Sequence, residues 1–306
     1  MGGRGAALIT ALLIVASAVM IASGMVTLLQ LEIRLAANIQ DRDRAWHFAL
    51  GGEAWAMGVL TRDAAAGSHD HLGEEWTTVL PAMPVTGGVA SGRILDLQGR
   101  FNLNNLVHEN KPAAVEVARF ERLLKAVGLN PRLAMAVVDW IDADSVVAGE
   151  GGAEAGSQPD RTPPYRPADR PMISPSELRL VAGFDAEAWG RLQPLVTALP
   201  ERTPLNVNTA PPELLQALAE GLTREQVAQL DEKRRRDGGF VNLAIFLAEA
   251  ALREKGIPAE GLAVASRYFL VESQVELGRG RMRLFSLLAR HKDGRVLVVR
   301  RAQGVI

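Results

Sequence analysis

From Ala6 to Leu29 no residue carries a charge, a run of 24 residues. As an α-helix this stretch would extend roughly 36 Å at about 1.5 Å per residue, enough to cross a hydrocarbon core of about 30 Å. Charges begin at Glu32 and Arg34, and no helix breaker intervenes before Gly51. The apolar positions then thin to Leu31, Ile33, Leu35, Ile39, Trp46, Phe48 and Leu50. The pattern predicts one long helix, transmembrane over residues 6–29 and amphipathic beyond.

The periodicity changes twice more. Residues 61–92 are loop-rich, with helical fragments at most. Arg93-Ile94-Leu95-Asp96-Leu97-Gln98 alternates like a strand and stops at Gly99. From 101 to 262 the pattern is helical, punctuated by Asn, Pro and Gly. The C-terminus turns to β: Arg267 to Leu277, Met282 to His291 and Arg295 to Arg301 are rich in Val, Leu, Phe and Tyr. Gly278-Arg279-Gly280 and Lys292-Asp293-Gly294 supply hairpin turns between them. The strand near 93–98 has few neighbours in sequence, so it is expected to pair with these distant strands. The predicted class is α+β: a long N-terminal transmembrane helix, an α/β head with an antiparallel sheet, and a large inserted all-α domain. The expected divisions are 1–5, 6–29, 30–100, 101–262 and 263–306.

The inserted block carries an internal echo. Phe101-Asn102-Leu103-Asn104-Asn105-Leu106 and Leu205-Asn206-Val207-Asn208-Thr209-Ala210 each precede a helical pattern, which predicts two similar small modules. Their Asn and Thr residues are expected to cap the helices that follow.

Composition narrows the chemistry. Apolar residues make up 48% and charged residues 23%, as in folded proteins, and the net charge of -1 provides no global field for nucleic acid. With no cysteine, thiol catalysis, disulfides and Cys-based zinc sites are excluded. Five His leave little for a transition-metal centre, while carboxylate-held hard cations stay open.

Five carboxylates lie between Ile141 and Asp160 with no Lys or Arg among them: Asp142, Asp144, Glu150, Glu154 and Asp160. Such clustering suits a solvated acidic loop or a bound calcium ion. The Asp-x-Asp spacing at Asp142 and Asp144 matches the start of an EF-hand, but the remaining EF-hand positions are absent. No nucleophile or oriented histidine accompanies these carboxylates, so catalysis is not expected. A second constellation, Asn206 to Ala210 with Arg234-Arg235-Arg236 and Gly239-Phe240-Val241, looks like a helix-hairpin-helix domain. A membrane-tethered DNA-uptake protein is therefore the rival reading. Its hairpin, however, reads Ala219-Glu220-Gly221-Leu222-Thr223-Arg224-Glu225, with one Gly and two carboxylates where phosphate would sit.

At the N-terminus, Met1-Gly2-Gly3-Arg4-Gly5 is short, basic and ends in Gly before the apolar run. A secretory signal peptide would have a shorter apolar core, and a plain anchor needs no such leader. The segment Arg4 to Leu13 resembles a type IV prepilin processing site. That resemblance implies cleavage by a prepilin peptidase between Gly5 and Ala6, with N-methylation of Ala6. Most pilins carry Glu at the fifth mature position; here it is Thr10.

Further stretches carry a more specific resemblance: Leu97 to Leu106, Val138-Asp139-Trp140-Ile141-Asp142-Ala143-Asp144, Gly152-Ala153-Glu154, and Pro163-Pro164-Tyr165-Arg166. They continue through Ala168-Asp169-Arg170-Pro171, Ser176 to Val181 and Asn206 to Ala210. In this order the chain resembles the general secretion pathway protein K family, whose members are minor pseudopilins of type II secretion systems. The resemblance implies a pilin-like head with an inserted α-domain and no enzymatic activity. It also implies a single-pass bacterial inner-membrane anchor with the head in the periplasm. The implied partners are I- and J-like minor pseudopilins at the pseudopilus tip, where the complex would initiate assembly and support export across the outer membrane. Calcium held by Asp142, Asp144 and Glu154 is implied as well, although Ala155 stands where the family has an acidic residue.

Overall fold

The structure is a computed structural model that describes residues 3–144, 146–153, 166–278 and 280–304. Helix α1 is continuous over Gly3–Ala66. It passes Gly51 and Gly52 without breaking, and the reason is tertiary packing. Ala45, Ala49, Gly52 and Ala56 form a small-residue stripe that lets the helix lie close on a sheet, and a Cβ at Gly52 would come within 2.6 Å of Ser273 Oγ. Burial against the sheet outweighs the intrinsic cost of glycine, about 1 kcal/mol each.

The sheet has five antiparallel strands in chain order: β1 (Leu80–Val85), β2 (Gly88–Asp96), β3 (Tyr268–Leu277), β4 (Gly280–Arg290) and β5 (Val296–Gln303). Strand β2 pairs with β3 in the register Ile94↔Val271, joining residues far apart in sequence as the alternation predicts. Strand β1 departs from the loop expected over 61–92. Its Pro81 and Pro84 mask it in the sequence, and it is tolerated because β1 is an edge strand whose outer side needs no ladder N–H.

Alternation assigns the two faces. Phe269, Val271, Val275 and Leu277 point at α1 and meet Ala49, Val59, Leu60 and Trp76. Trp76 stands edge-on to Phe269 with centroids 5.4 Å apart. Glu53, buried under this sheet, is matched by Arg301 at 2.7 Å and by the Ser286 hydroxyl at 2.5 Å.

Between Asp96 and Tyr268 the chain leaves the sheet and builds a second, larger core. Its helices are α2 (Ala114–Ala126), α3 (Leu133–Ile141), α4 (Ala186–Leu192), α5 (Pro212–Gln216), α6 (Arg224–Arg236) and α7 (Leu243–Leu247). Phe101 stacks on Phe120 at 5.2 Å, and Leu124, Val137, Leu214 and Phe246 complete the centre. Gly128, at φ 75°, turns the chain after α2 in a conformation glycine adopts without steric cost.

The two echoing Asn motifs do share a local structure. Phe101–Asn102 pairs in parallel with Val196–Thr197, and Leu205–Asn206 pairs in parallel with Leu262–Ala263. Asn102 caps the one-turn helix Leu103–Leu106 that directly follows it, accepting Asn104 N–H at 3.2 Å, but no side chain of either motif caps α2 or α5, which follow Ala113 and Pro211. The other Asn side chains cross-link remote backbone instead. Asn104 bonds Met172 N–H and the carbonyls of Met172 and Leu199, Asn105 bonds both backbone groups of Thr203, and Asn208 bonds both backbone groups of Phe240. An amide presents donor and acceptor together, so it can replace a missing strand neighbour inside a core.

The head and the insertion meet at a polar junction. Arg290 Nη1 donates to Asp63 at 2.6 Å, while Nη2 reaches both Asp70 oxygens and the Ser266 carbonyl. Its guanidinium also lies 4.9 Å from the Phe269 ring centroid. Asp96, at the end of β2, accepts from Ser266 Oγ, Thr209 Oγ1, Asn206 Nδ2 and Gln98 N–H. One guanidinium thus serves a cluster containing Asp63, Asp70 and Glu74. Burial and the Glu74 and Asp70 charges outweigh Arg290 and push the Asp63 carboxyl up to about 6. A raised folded pKa means that folding takes up a proton. The resulting stabilisation is complete below about pH 4 and is lost as pH rises through about 6. Chemical denaturation at pH 4 and pH 7 should therefore show Asp63→Asn removing a pH dependence of at most about 3 kcal/mol, roughly half of it already lost by pH 5.

Candidate functional site

The first functional region is the free half of α1. Leu8, Ile14, Ile21, Leu28, Ile33 and Ile39 are all more than half exposed, and the first deeply buried side chain is Ala45. Over residues 7–33 the helix stands clear of the described head for roughly 40 Å at about 1.5 Å per residue, and from Arg34 it begins to face the ends of β4 and β5 across a cleft. Its length and composition suffice to cross a membrane. Exposed apolar surface on this scale has to be covered by lipid or by other helices. Three hydroxyls in this half are turned back on the helix: those of Thr10, Ser17 and Thr27 donate to the carbonyls of Ala7, Leu13 and Ser23 at 2.9–3.0 Å. Thr10 therefore brings no charge into the apolar segment and bonds within its own helix. Gly5 and Ala6 fall in the first turns of α1 as backbone.

The second region is the acidic loop. It follows α3, and Asp142 caps that helix with its N–H on the Val138 carbonyl at 2.9 Å. Asp142 is buried, whereas Asp144 is exposed and accepts from Val146 N–H. Glu154, the third expected ligand, lies outside the described residues, as does Asp160. Glu150 is not uncompensated, because Arg132 from the start of α3 reaches it at 2.6 Å. Sequence reasoning looked for counter-charges only within the loop and missed this one.

It also missed the residue that shapes the loop. Asp139 is fully buried and accepts Ala148 N–H at 2.8 Å and Ala153 N–H at 2.6 Å. Burial pushes its carboxyl up against the pull of these two bonds. A Cβ on Gly152 would collide with the Asp139 carboxylate, so the glycine-rich stretch is cut to fit this anchor. The available signal was a lone carboxylate in the otherwise apolar run from Leu133 to Ile141.

Elsewhere, Asp63, Asp70 and Glu74 bring one oxygen each within 4.8 Å of one another. Arg290 already supplies positive charge to Asp63 and Asp70 there, and Glu74 accepts from Trp76 Nε1 and His71 N–H.

The basic run on α6 offers no phosphate surface. Arg234 is buried, donating to the Val207 carbonyl and Asp231; Arg235 pairs with Asp231, Arg236 with Asp237 and Lys233 with Glu249. Asn206 and Asn208 are buried within the fold. The helix-hairpin-helix likeness reflects packing.

A membrane-length apolar helix whose second half is buried on an antiparallel sheet defines the class: a membrane-anchored, pilin-like subunit, here enlarged by an α-domain between two sheet strands. Residues 99–201 and 205–265 match two protein-family models, both described as Type II secretion system (T2SS), protein K. Type II secretion system protein K of Pseudomonas aeruginosa is 39% identical, over 99% of this chain and 93% of that protein. The Aeromonas hydrophila protein of the same description is 34% identical over 98% and 97%. The chain also resembles a chain of the GspK-GspI-GspJ complex from enterotoxigenic Escherichia coli, with TM-score 0.77 and 25% identity over 89% of this chain and 99% of that one. The chain belongs to the type II secretion system protein K family and is a minor pseudopilin of that system.

The anchoring role of Asp139 is directly measurable. Asp139→Ala should cost about 2–4 kcal/mol in chemical denaturation, because two buried N–H groups lose a charged acceptor. It should also accelerate proteolytic cutting within residues 146–153. Asp144→Ala, at an exposed position, should change stability by less than about 0.5 kcal/mol in the absence of calcium.

Proposed function

We propose that the chain is cut after Gly5 by a prepilin peptidase. The mature helix beginning at Ala6 then rests in the bacterial inner membrane with its head in the periplasm. There it joins I- and J-like minor pseudopilins to form the tip that initiates the pseudopilus. The observation that carries this reading is the free half of α1, apolar from Leu8 to Leu31 with its large side chains more than half exposed among the described residues. Lateral association with other pseudopilin helices would cover the part of it that emerges from lipid. Two features favour the terminal position. Thr10 gives a neighbour's N-terminal amine no carboxylate to pair with. The insertion widens the head beyond what repeated stacking in a thin fibre would accommodate. The E. coli relative sits in a complex of this composition, which supports I- and J-like partners for this chain. The role is mechanical rather than catalytic.

We further propose that the loop after α3 holds calcium through Asp142, Asp144 and Glu154. Carboxylates two residues apart on irregular backbone are hard donors suited to that ion, and Asp139 holds the adjoining turn in place. Bound calcium would neutralise a loop whose only described counter-charge is Arg132.

Co-expression with a prepilin peptidase followed by N-terminal sequencing tests the first proposal. Wild-type protein should begin at Ala6, and Gly5→Leu should retain its leader; a Gly5→Leu protein that still starts at Ala6 would sink the pilin reading. For the loop, calcium should raise the thermal midpoint of wild-type protein by several degrees, as selective binding to the folded state requires. Asp142→Ala should abolish that rise, and an unchanged rise would exclude this ligand set.

A further inference from the structure

Among the described residues, the insertion covers the sheet face turned away from α1 near one end, where Leu199 meets Tyr268, Leu287 and Ala289. Beside that contact lies a groove of about 310 Å³. Its floor is the sheet, with Leu97, Leu270, Phe285 and Leu287. Its wall is the insertion, with Arg100, Ser174, Ser176 and Thr197, and β5 contributes Arg300 and Ala302 at the rim. Two arginines and three hydroxyls therefore stand over an apolar floor, and none of the described lining residues is acidic.

Arg100 is the unusual member. It is half-buried, yet its guanidinium makes no hydrogen bond or ion pair among the described residues. Most other shielded cations here are matched: Arg119 by Glu116, Arg234 by Asp231 and Arg290 by Asp63 and Asp70. Burial and the nearby Arg93 charge push the Arg100 pKa down, and only the Asp96 charge opposes them. Asp96 is committed elsewhere, to Ser266, Thr209, Asn206 and Gln98. Arg93 is held by Glu272, and Glu177, on the turn that forms the wall, is taken by Ile173 N–H, Ser174 N–H and Arg170. Arg300 has a carbonyl partner, that of Ile173, and no carboxylate. A half-buried cation without a counter-charge has lost part of its hydration, and an arriving carboxylate would offset that loss.

We propose that this groove binds an acidic segment of a partner polypeptide in extended form, with its carboxylate on Arg100 and flanking apolar side chains on Leu270, Phe285 and Leu287. The polypeptide nature of the ligand follows from β5. It is the free edge of the five-stranded sheet, and an extended chain entering over Arg300 and Ala302 finds unused backbone hydrogen-bonding groups there. The inference stands apart from the tip assignment, since it uses the outer sheet face and not the free half of α1.

The test uses the full chain in nanodiscs and fluorescently labelled Ac-Ser-Val-Asp-Leu-Ser-NH2, read by anisotropy. The expected result is saturable binding, weakened at least about tenfold both by Asn in place of the peptide Asp and by Arg100→Gln. Because Arg100 lacks a partner in the free protein, Arg100→Gln should keep or raise the thermal midpoint. Ala302→Trp, which fills the groove without touching a cation, should also abolish binding. Equal affinity for the Asp and Asn peptides, or no saturable binding, would overturn the proposal. So would binding of dodecanoate but not of the peptide, which would place a lipid there. A clear drop in the Arg100→Gln midpoint with peptide binding retained would return Arg100 to a structural role.

Discussion

The structure depends on how the insertion is fastened where it leaves and re-enters the sheet. The exit after Asp96 and the return at Tyr268 lie on adjacent strands, joined by the Leu97 N–H on the Tyr268 carbonyl at 3.0 Å. Closing so long a loop costs entropy, though the cost grows only slowly with length. More demanding is the fixed orientation of two cores. Gln98 bonds the Pro204 carbonyl and the N–H groups of Arg267 and Tyr268, and Asn206 reaches Asp70, Asp96 and Ser266. Arg290 then ties the return strand to α1 through Asp63. Charge-assisted bonds shielded from water contribute roughly 1.5–3 kcal/mol each, and a missing partner would leave a buried group unsatisfied. The junction is thus specific as well as strong.

That fastening divides the molecule's surfaces. One sheet face is sealed by α1 and its small-residue stripe, and the upper end of the other is covered by the insertion. Among the described residues, what stays open is the free half of α1, the lower outer sheet face with its β5 edge, and the start of the loop after α3. Each open surface has a different chemistry: lipid-like, mixed cationic and apolar, and acidic. The separation lets one chain be held in a membrane and face neighbouring proteins without these demands competing for the same residues.

Much of this was legible in the sequence because it rests on periodicity and local turn chemistry. The uncharged run from Ala6 to Leu29 gave the anchor. The alternation at Arg93 to Asp96 and the Gly-containing turns near 278 and 294 gave the strands and their distant pairing. The resemblance in ordered segments pointed to the family. What escaped has physical causes as well. Strand β1 hides behind Pro81 and Pro84 because edge position cancels the penalty that proline normally signals. Helix α1 outruns Gly51 because helix extent was settled by packing on Ser273, a residue over two hundred positions away. Asp139, Arg100 and Arg290 look ordinary in a linear reading. Their significance comes from burial and from which partners are present or absent, and neither is local information.

The continuity of α1 has a mechanical consequence that follows from these contacts. The helix is unbroken from the apolar end to Ala66, so no hinge separates the membrane-length segment from the part packed on the sheet. From Ala45 onward its stripe of Ala and Gly fixes its rotation, since a small turn about the axis would drive larger side chains into β3. Glu53, held by Arg301 and Ser286, fixes its height. Asp63, held by Arg290, passes the same constraint to the strand beside the insertion. A tilt imposed on the exposed half therefore moves head and insertion as one body. Whatever orients the exposed half of α1 therefore orients the outer sheet face as well.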